Sequence, residues 1–500
     1  MKQKLKKLVQ KIKHFNVCKP LWLLFILVPV SFSFFVAKFA DNDFWFLINT
    51  GRYILNHGFP VIEPFTIHQG LSFVVQQWLT DVIFFFIYDK VGFIGIMLLV
   101  ISIYTLVLVL LYKICMLISN NKIKLSTIIT IFVGFVFLFG FVRSRPQIFD
   151  YLFLLIEIYA LEKYIKTKRK SYLFILPLIS LLMINFHSSS WFMIFLFMFP
   201  YLIDSFKFRF LFFKGQGYQK KYLFITLIFM LIVGIINPYG IKAITYLFTS
   251  FGDSYINGSV IEMKKILSEV SLWSIIYVLI FIFTIFTNIK FWEKIKIRYL
   301  CLQMGTLLLG FLHIKGFSFT LIGGIFPFAF YYKDYFKEYV DNYIYSKKFK
   351  ISYSIVLFFM FVIPISIVLV YGKIGFSFSY IENIYEYMEE NVSREDNIIY
   401  TDYVIGSYAE WLGYRVYMDP RAEVFLKANN KKENIFYEYY YLINDKLSLK
   451  KFCNKYNFDY IIVKKDTKFN KYLLKNKKYV KVMEDISGEK EKYVLYKKIK

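Results

Sequence analysis

The sequence predicts an α-helical polytopic membrane protein of about eleven transmembrane helices, ending in a small extracytoplasmic α/β domain. Three observations predict it. Of the 500 residues, 57% are hydrophobic and 22% aromatic. With a mean hydropathy of +0.48, that is more apolar surface than a water-soluble fold can hide. The apolar residues gather in runs separated by short clusters of lysine and arginine. Beyond about residue 372 the runs stop, and short β-branched and aromatic stretches alternate with polar helical ones.

The basic excess is large, with 62 Lys and Arg against 35 Asp and Glu and a net charge of +27. In a soluble protein that balance points to nucleic acid. Here the charge sits between apolar runs, the pattern that the positive-inside rule gives to cytoplasmic loops, so nucleic acid is set aside as a partner. Cys18, Cys115, Cys301 and Cys453 are widely separated, with neither CxxC nor Cys/His spacing, and predict no metal site and no disulfide framework.

In chain order, residues 1–20 form a basic arm that stays in the cytoplasm and carries His14. The apolar run that follows resembles a signal peptide, but it is long and lacks a small-residue cleavage site. It reads as a retained first span, Leu21–Lys38, running outward. Residues 39–78, with Pro60 and Pro64, form an extracytoplasmic loop with interfacial helices, and Leu79–Tyr88 a juxtamembrane helix. The next spans are Gly92–Leu111, Leu125–Phe141, Phe149–Leu161, Tyr172–Phe186, Ser190–Ile203 and Tyr222–Ile236. Residues 241–271 are amphipathic and lie along the outer surface. Spans Leu272–Thr287, Tyr299–Leu312, Phe317–Tyr332 and Ile351–Tyr371 complete the transmembrane domain, 21–372. Several of these runs are shorter than the roughly 20 residues that cross a bilayer untilted. The domain 373–500 is predicted to hold strands at Asn397–Thr401, Tyr414–Met418, Tyr460–Val463, Tyr479–Asp485 and Lys492–Lys498, with helices at Tyr380–Asn391 and Leu447–Tyr456.

This topology sorts the polar residues at the helix ends. The outer face receives Asp41, Asp43, Arg52, His57, Glu63, His68, Gln77, Arg143, Arg145, Gln147, Asn185, His187, Asn237, His313 and Lys315. Polar groups near membrane depth are expensive, so their convergence predicts a functional cavity. A carboxylate there can take a proton from an acceptor hydroxyl, and arginine forks match the oxygens of a phosphate. A lipid-phosphate-linked sugar suits both. Its anomeric carbon reacts through an oxocarbenium-like state, and the departing phosphate is already a stable anion, so cations matter more than a general acid. Each element also has a plainer reading. Asp41 can cap the helix starting near Phe44, Arg143 and Arg145 can snorkel to headgroups, and His313 and Lys315 can simply end a span. No GxGxxG, P-loop, HExxH or GxSxG occurs in a usable context.

The stretch Asp43-Phe44-Trp45, Arg52, His57-Gly58 after the first span resembles the GT-C superfamily of polytopic glycosyltransferases that use polyprenyl-phosphate sugars. The likeness is to the branch of protein mannosyltransferases, aminoarabinose transferases and their bacterial relatives. In that branch an acid pair precedes the aromatics, and Asp43 takes the place of the proposed catalytic acid. Phe44 stands where a Glu commonly follows, and Asp41 supplies the second acid of an Asp-Asn-Asp triplet. RSRPQIF (143–149), NFHSS (185–189), NPYG (237–240) and GSYAEWLGYRVYMDPRAEVF (406–425) extend the likeness to bacterial membrane proteins of unassigned substrate.

The resemblance implies a bacterial cell-membrane enzyme that moves a sugar from a polyprenyl-phosphate donor to a glycan, lipid or protein acceptor at the outer face. Asp43 would be the base, with Asp41 assisting. Arg143, Arg145 and Lys315 would bind phosphate, and Arg52, His57, His187 and His313 would line the cavity. No cofactor is required, although Asp41 and Asp43 permit a divalent metal such as Mg or Mn, as in the oligosaccharyltransferase branch. A flippase for lipid-linked glycans would need ionisable groups at mid-span and internal repeats, and neither stands out. A polysaccharide polymerase or ligase, or a non-catalytic envelope-assembly protein, are the remaining alternatives.

Overall fold

The computed structural model describes residues 25–210, 213–250, 252–336, 347–372, 374–375, 381–394, 397–485 and 492–499. The basic arm with His14 and Cys18, and the first residues of the first expected span, lie outside them. Helices or runs of short helices occupy every stretch expected to span. They begin with α1 (Leu27–Ala37), followed by α2 (Asn42–His57) and α3 (Trp78–Val91) in the first loop. Then come α4 (Phe93–Ile118), α5 (Ile123–Leu138), α6 (Gln147–Thr167), α7 (Ile175–Phe186), α8 (Phe192–Asp204) and α9 (Lys220–Val233). After α10 (Ile241–Ser250) come α11 (Leu272–Lys290), α12 (Ile297–Leu312), a broken helical segment from Ile314 to Tyr331 and α13 (Lys347–Tyr371). Three of these, α4, α11 and the 314–331 segment, are long and apolar enough to cross a membrane by themselves. Six shorter apolar helices of 10–17 residues lie among the other expected spans. The chain is a membrane protein, and the full count of about eleven crossings is an expectation from charge and hydropathy.

One mid-span expectation needs correction. Glu157 lies about 10 Å along α6 from Asp150 by helical rise. It is fully buried, and neither carboxyl oxygen has a partner among the described residues. The apolar residues around it masked an acid buried among the helices. At the far end of α6, Glu162 meets Arg298 of α12 (Nε to Oε1, 2.9 Å), and Asp204 of α8 takes Arg298 Nη1 at 2.7 Å. This buried cluster ties three helix ends together opposite the Asp41 end.

The tail matches the predicted strands closely. After α14 (Glu382–Asn391) come β1 (Ile398–Tyr400), α15 (Gly406–Trp411), β2 (Arg415–Val416), α16 (Ile435–Ile443) and α17 (Leu449–Tyr456). β3 (Tyr460–Lys464), α18 (Lys468–Lys475), β4 (Tyr479–Asp485) and β5 (Tyr493–Lys498) complete it. The sheet order is β2-β1-β3-β5-β4. β1 runs parallel to β2 and β3, and β5 is antiparallel to β3 and β4. The first loop joins this sheet, because Thr66 bridges Val416 in parallel and Ile67 N–H donates to the Val416 carbonyl at 3.0 Å. Leu71, Phe73 and Val75 of the loop share one buried cluster with Tyr400, Tyr417, Phe425 and Phe452 of the tail. Loop and tail therefore pack as one layer, which meets the start of α2 where Ser407 Oγ donates to the Asn42 carbonyl at 2.7 Å.

Candidate active site

The site begins where α1 gives way to α2. Asp41 is the N-cap of α2, its carboxylate accepting the Asp43 N–H, so the acid favoured at a helix start also points at the incoming loop between α5 and α6. That loop reads Arg143-Ser144-Arg145-Pro146. Ser144 Oγ accepts the Asp41 N–H at 3.2 Å, and Pro146, with its fixed φ, caps α6. The two arginines therefore arrive at one carboxylate. Arg145 Nε donates to Asp41 Oδ1 at 2.6 Å, and Arg143 Nη1 to Asp41 Oδ2 at 3.1 Å. Arg145 Nη2 is 3.2 Å from Asp43 Oδ2, and Nη1 pairs with Glu262. Every guanidinium nitrogen of Arg145 faces an acid, whereas Arg143 is half-exposed at 49%.

These partners separate the two aspartates electrostatically. Burial pushes both carboxyls up. For Asp41 the adjacent Arg145 and Arg143 outweigh it and hold the group below the usual carboxylate range. For Asp43 burial prevails over Arg145, and Asp41, Glu262 and Glu423 add repulsion, raising it to about 8. Glu262 is held low because Arg145 and Lys315 outweigh its burial.

The expected residues divide into three groups. Asp41, Asp43, Arg143 and Arg145 form the cluster, and Lys315 acts on Glu262 and Glu423 at its edge. His313 Nδ1–H donates to the Met263 carbonyl at 2.7 Å, holding the segment that carries Glu262. His187 is buried against α6, with Nδ1 2.6 Å from Asp150 Oδ2 and Nε2 2.8 Å from Ser189 Oγ. Arg52 and His57 lie elsewhere. With Asn49, Tyr53, Glu410 and Arg415 they line a separate cleft of about 240 Å³ near the other end of α2, where Arg52 sits over the Trp411 ring at 4.2 Å. Helical spacing put them near Asp43 in sequence, but a 16-residue helix carries them down its length.

Four residues were not singled out from sequence. Glu262 sits in an amphipathic surface segment without a motif. Asp150 follows directly after RSRPQIF, one turn into α6. Gln76 lies just before α3. Glu423 belongs to the quoted tail motif, and Gln76 Nε2 donates to its Oε1 at 3.3 Å. The Asp41–Asp43 pair fits a divalent cation poorly, since both Asp41 oxygens are taken by arginines. Among the described residues no three His, Cys, Asp or Glu side chains gather as a ligand set.

No known family profile matches the chain, and no curated protein matches it in sequence. Solved structures match its fold. The chain is similar to the oligosaccharyltransferase AglB of Archaeoglobus fulgidus in complex with an inhibitory peptide and a dolichol-phosphate. The TM-score is 0.58 at 10% identity, covering 92% of this chain and 70% of that one. An Archaeoglobus fulgidus oligosaccharyltransferase tethered to an acceptor peptide containing the NVT sequon gives 0.56 at 10% identity over 92% and 70% of the two chains. Its apo form gives 0.55 at 11% over 92% and 71%. The chain has the fold of these oligosaccharyltransferases, the kind of fold that the resemblance carried by Asp43, Arg52 and His57-Gly58 implies.

Proposed function

We propose that this protein is a membrane glycosyltransferase that moves a sugar from a polyprenyl-phosphate donor to a cell-envelope acceptor at the outer face of a bacterial membrane. One observation carries the reading: the Asp43 carboxyl lies 3.2 Å from the largely covered Arg145 guanidinium, and burial raises it to about 8. A base near the working pH accepts a hydroxyl proton well. The acceptor oxygen bonds to the anomeric carbon while the bond from that carbon to the phosphate oxygen breaks. The hydroxyl proton goes to Asp43 Oδ, and the lipid phosphate leaves as an anion. Arg145, held by three acids, positions the aspartates. The half-exposed Arg143 and the neighbouring Lys315 are the cations offered to the phosphate. Dolichol-phosphate in the AglB complex supports a lipid-phosphate donor of this kind.

Asp43→Asn at matched expression is expected to cut sugar release from a polyprenyl-phosphate hexose by about 10²–10⁴-fold. Unchanged turnover would remove Asp43 from the mechanism. A second reading, a flippase for lipid-linked glycans, is favoured by Glu157, since unpaired intramembrane acids mark transport pathways. That reading predicts that proteoliposomes move labelled lipid-linked sugar across the bilayer with no covalent product, and that Glu157→Gln stops the movement. Sugar transfer that survives Glu157→Gln argues for the transferase.

A further inference from the structure

Beside the Asp43 cluster lies a group of polar side chains to which the transfer chemistry gives no task. Glu423, from the tail, acts electrostatically on Asp43 and is held by Gln76 Nε2 at 3.3 Å. The Gln76 carbonyl accepts the Ser188 N–H at 2.7 Å, which brings the loop between α7 and α8 against the first loop. Gln76 and Ser188 are 8% and 4% exposed, yet Gln76 Oε1 and Ser188 Oγ have no partner among the described residues. Next along the chain, Ser189 Oγ lies 2.8 Å from His187 Nε2, and the imidazole is fixed by Asp150 at 2.6 Å. Buried polar atoms left unpaired are costly. Two of them joined by one main-chain hydrogen bond, beside an acid partnered on one oxygen by an amide, point to a ligand group that completes them.

The types of atom narrow the ligand. Gln76 Oε1 and the Glu423 carboxylate need donors, and serine hydroxyls both give and take. A phosphate brings only acceptors and meets repulsion from Glu423. A single carboxamide brings one donor group and one acceptor. A sugar ring brings several hydroxyls, each able to do both.

We propose that the acceptor is itself a carbohydrate, and that Glu423, Gln76 and Ser188 bind the hydroxyls of the sugar residue presented to Asp43. The proposal rests on the transferase reading and adds its acceptor class. Glu423 and Gln76 orient the acceptor, while Asp43 takes the proton.

Saturation-transfer NMR on the full chain in lipid nanodiscs tests it. The probes are maltotriose, cellotriose and chitotriose, with an Asn-containing hexapeptide beside them. Wild type is expected to show saturation transfer to at least one trisaccharide. Glu423→Gln is expected to weaken that binding by about tenfold, the scale of one weakened hydrogen bond. Ser188→Ala, the milder change, is expected to weaken it as well while leaving the melting temperature in place, which keeps the test decisive if Glu423→Gln folds poorly. The proposal is overturned if no trisaccharide binds wild type, if both variants bind like wild type, or if only the peptide binds. Sugar release measured in parallel on Asp43→Asn tests the transferase reading separately, so each can fail without the other.

Discussion

Asp41 and Asp43 stand two residues apart, and their neighbours drive them in opposite directions. Two arginines hold Asp41 ionised, while burial and three surrounding acids hold the Asp43 proton. As a base, Asp43 works only when deprotonated, so turnover is expected to rise with pH through about 8 and to fall away in acid. Stability runs the other way. The folded value lies above the unfolded 3.8, so this group's contribution is complete below about pH 4 and is lost as pH rises towards 8. A melting series between pH 5 and 9 should therefore show a decline with pH that Asp43→Asn flattens, while rate measurements over the same range show the rise. A pH–rate profile with no inflection near 8 would count against Asp43 as the base. This division was not legible beforehand, because an Asp-Asn-Asp triplet does not say which acid meets the arginines. The N-cap geometry at Asp41 decides it.

At the scale of elements, α2 is the piece that positions the site, and its close fit against α3 depends on Gly51. A methyl at Gly51 would overlap the backbone carbonyl oxygen of Asp81, so the two helices would have to part. Gly51→Ala is expected to cost about 1–3 kcal/mol, read as a lowered melting temperature, with sugar release falling as Asp43 shifts from Arg145. Much at this scale was legible beforehand. Apolar runs located the helices, and alternation placed the tail strands to within a few residues. Phe44, the departure from the pattern that this stretch otherwise resembles, also becomes intelligible. It is fully buried and packs edge-on to Phe93 with ring centroids 5.1 Å apart, so it faces the helix bundle and not the carboxylate cluster. The separation of Arg52 and His57 from the cluster was not legible. Proximity in sequence says nothing about the direction in which a helix leaves a site.

At the scale of the whole molecule, the domain boundary read from composition conceals how the parts hold together. Residues by which the first loop and the tail meet lie 349 to 358 positions apart in sequence, yet the two segments share a sheet edge and a core. Composition cannot reveal such pairing, because each segment alone looks like an ordinary polar surface. Arg421 is the centre of that joint. It pairs with Glu63 of the loop at 2.9 Å, with Glu410 at 3.5 Å and with Asp419, and it lies among Phe46, Phe65 and Phe73. It is 3% exposed. Replacing it with methionine leaves three buried acids without their counter-ion, a change expected to cost about 3–5 kcal/mol. The loss should fall on the joint. Limited proteolysis of Arg421→Met should release the tail while the helices stay protected, and sugar release should fall because Glu423, two residues on, loses its place beside Asp43. Glu63→Gln combined with Arg421→Met removes one of the stranded charges and should recover part of the melting temperature. If Arg421→Met melts like wild type, the tail is held by its apolar contacts alone, and the ion cluster is incidental to the assembly of the site.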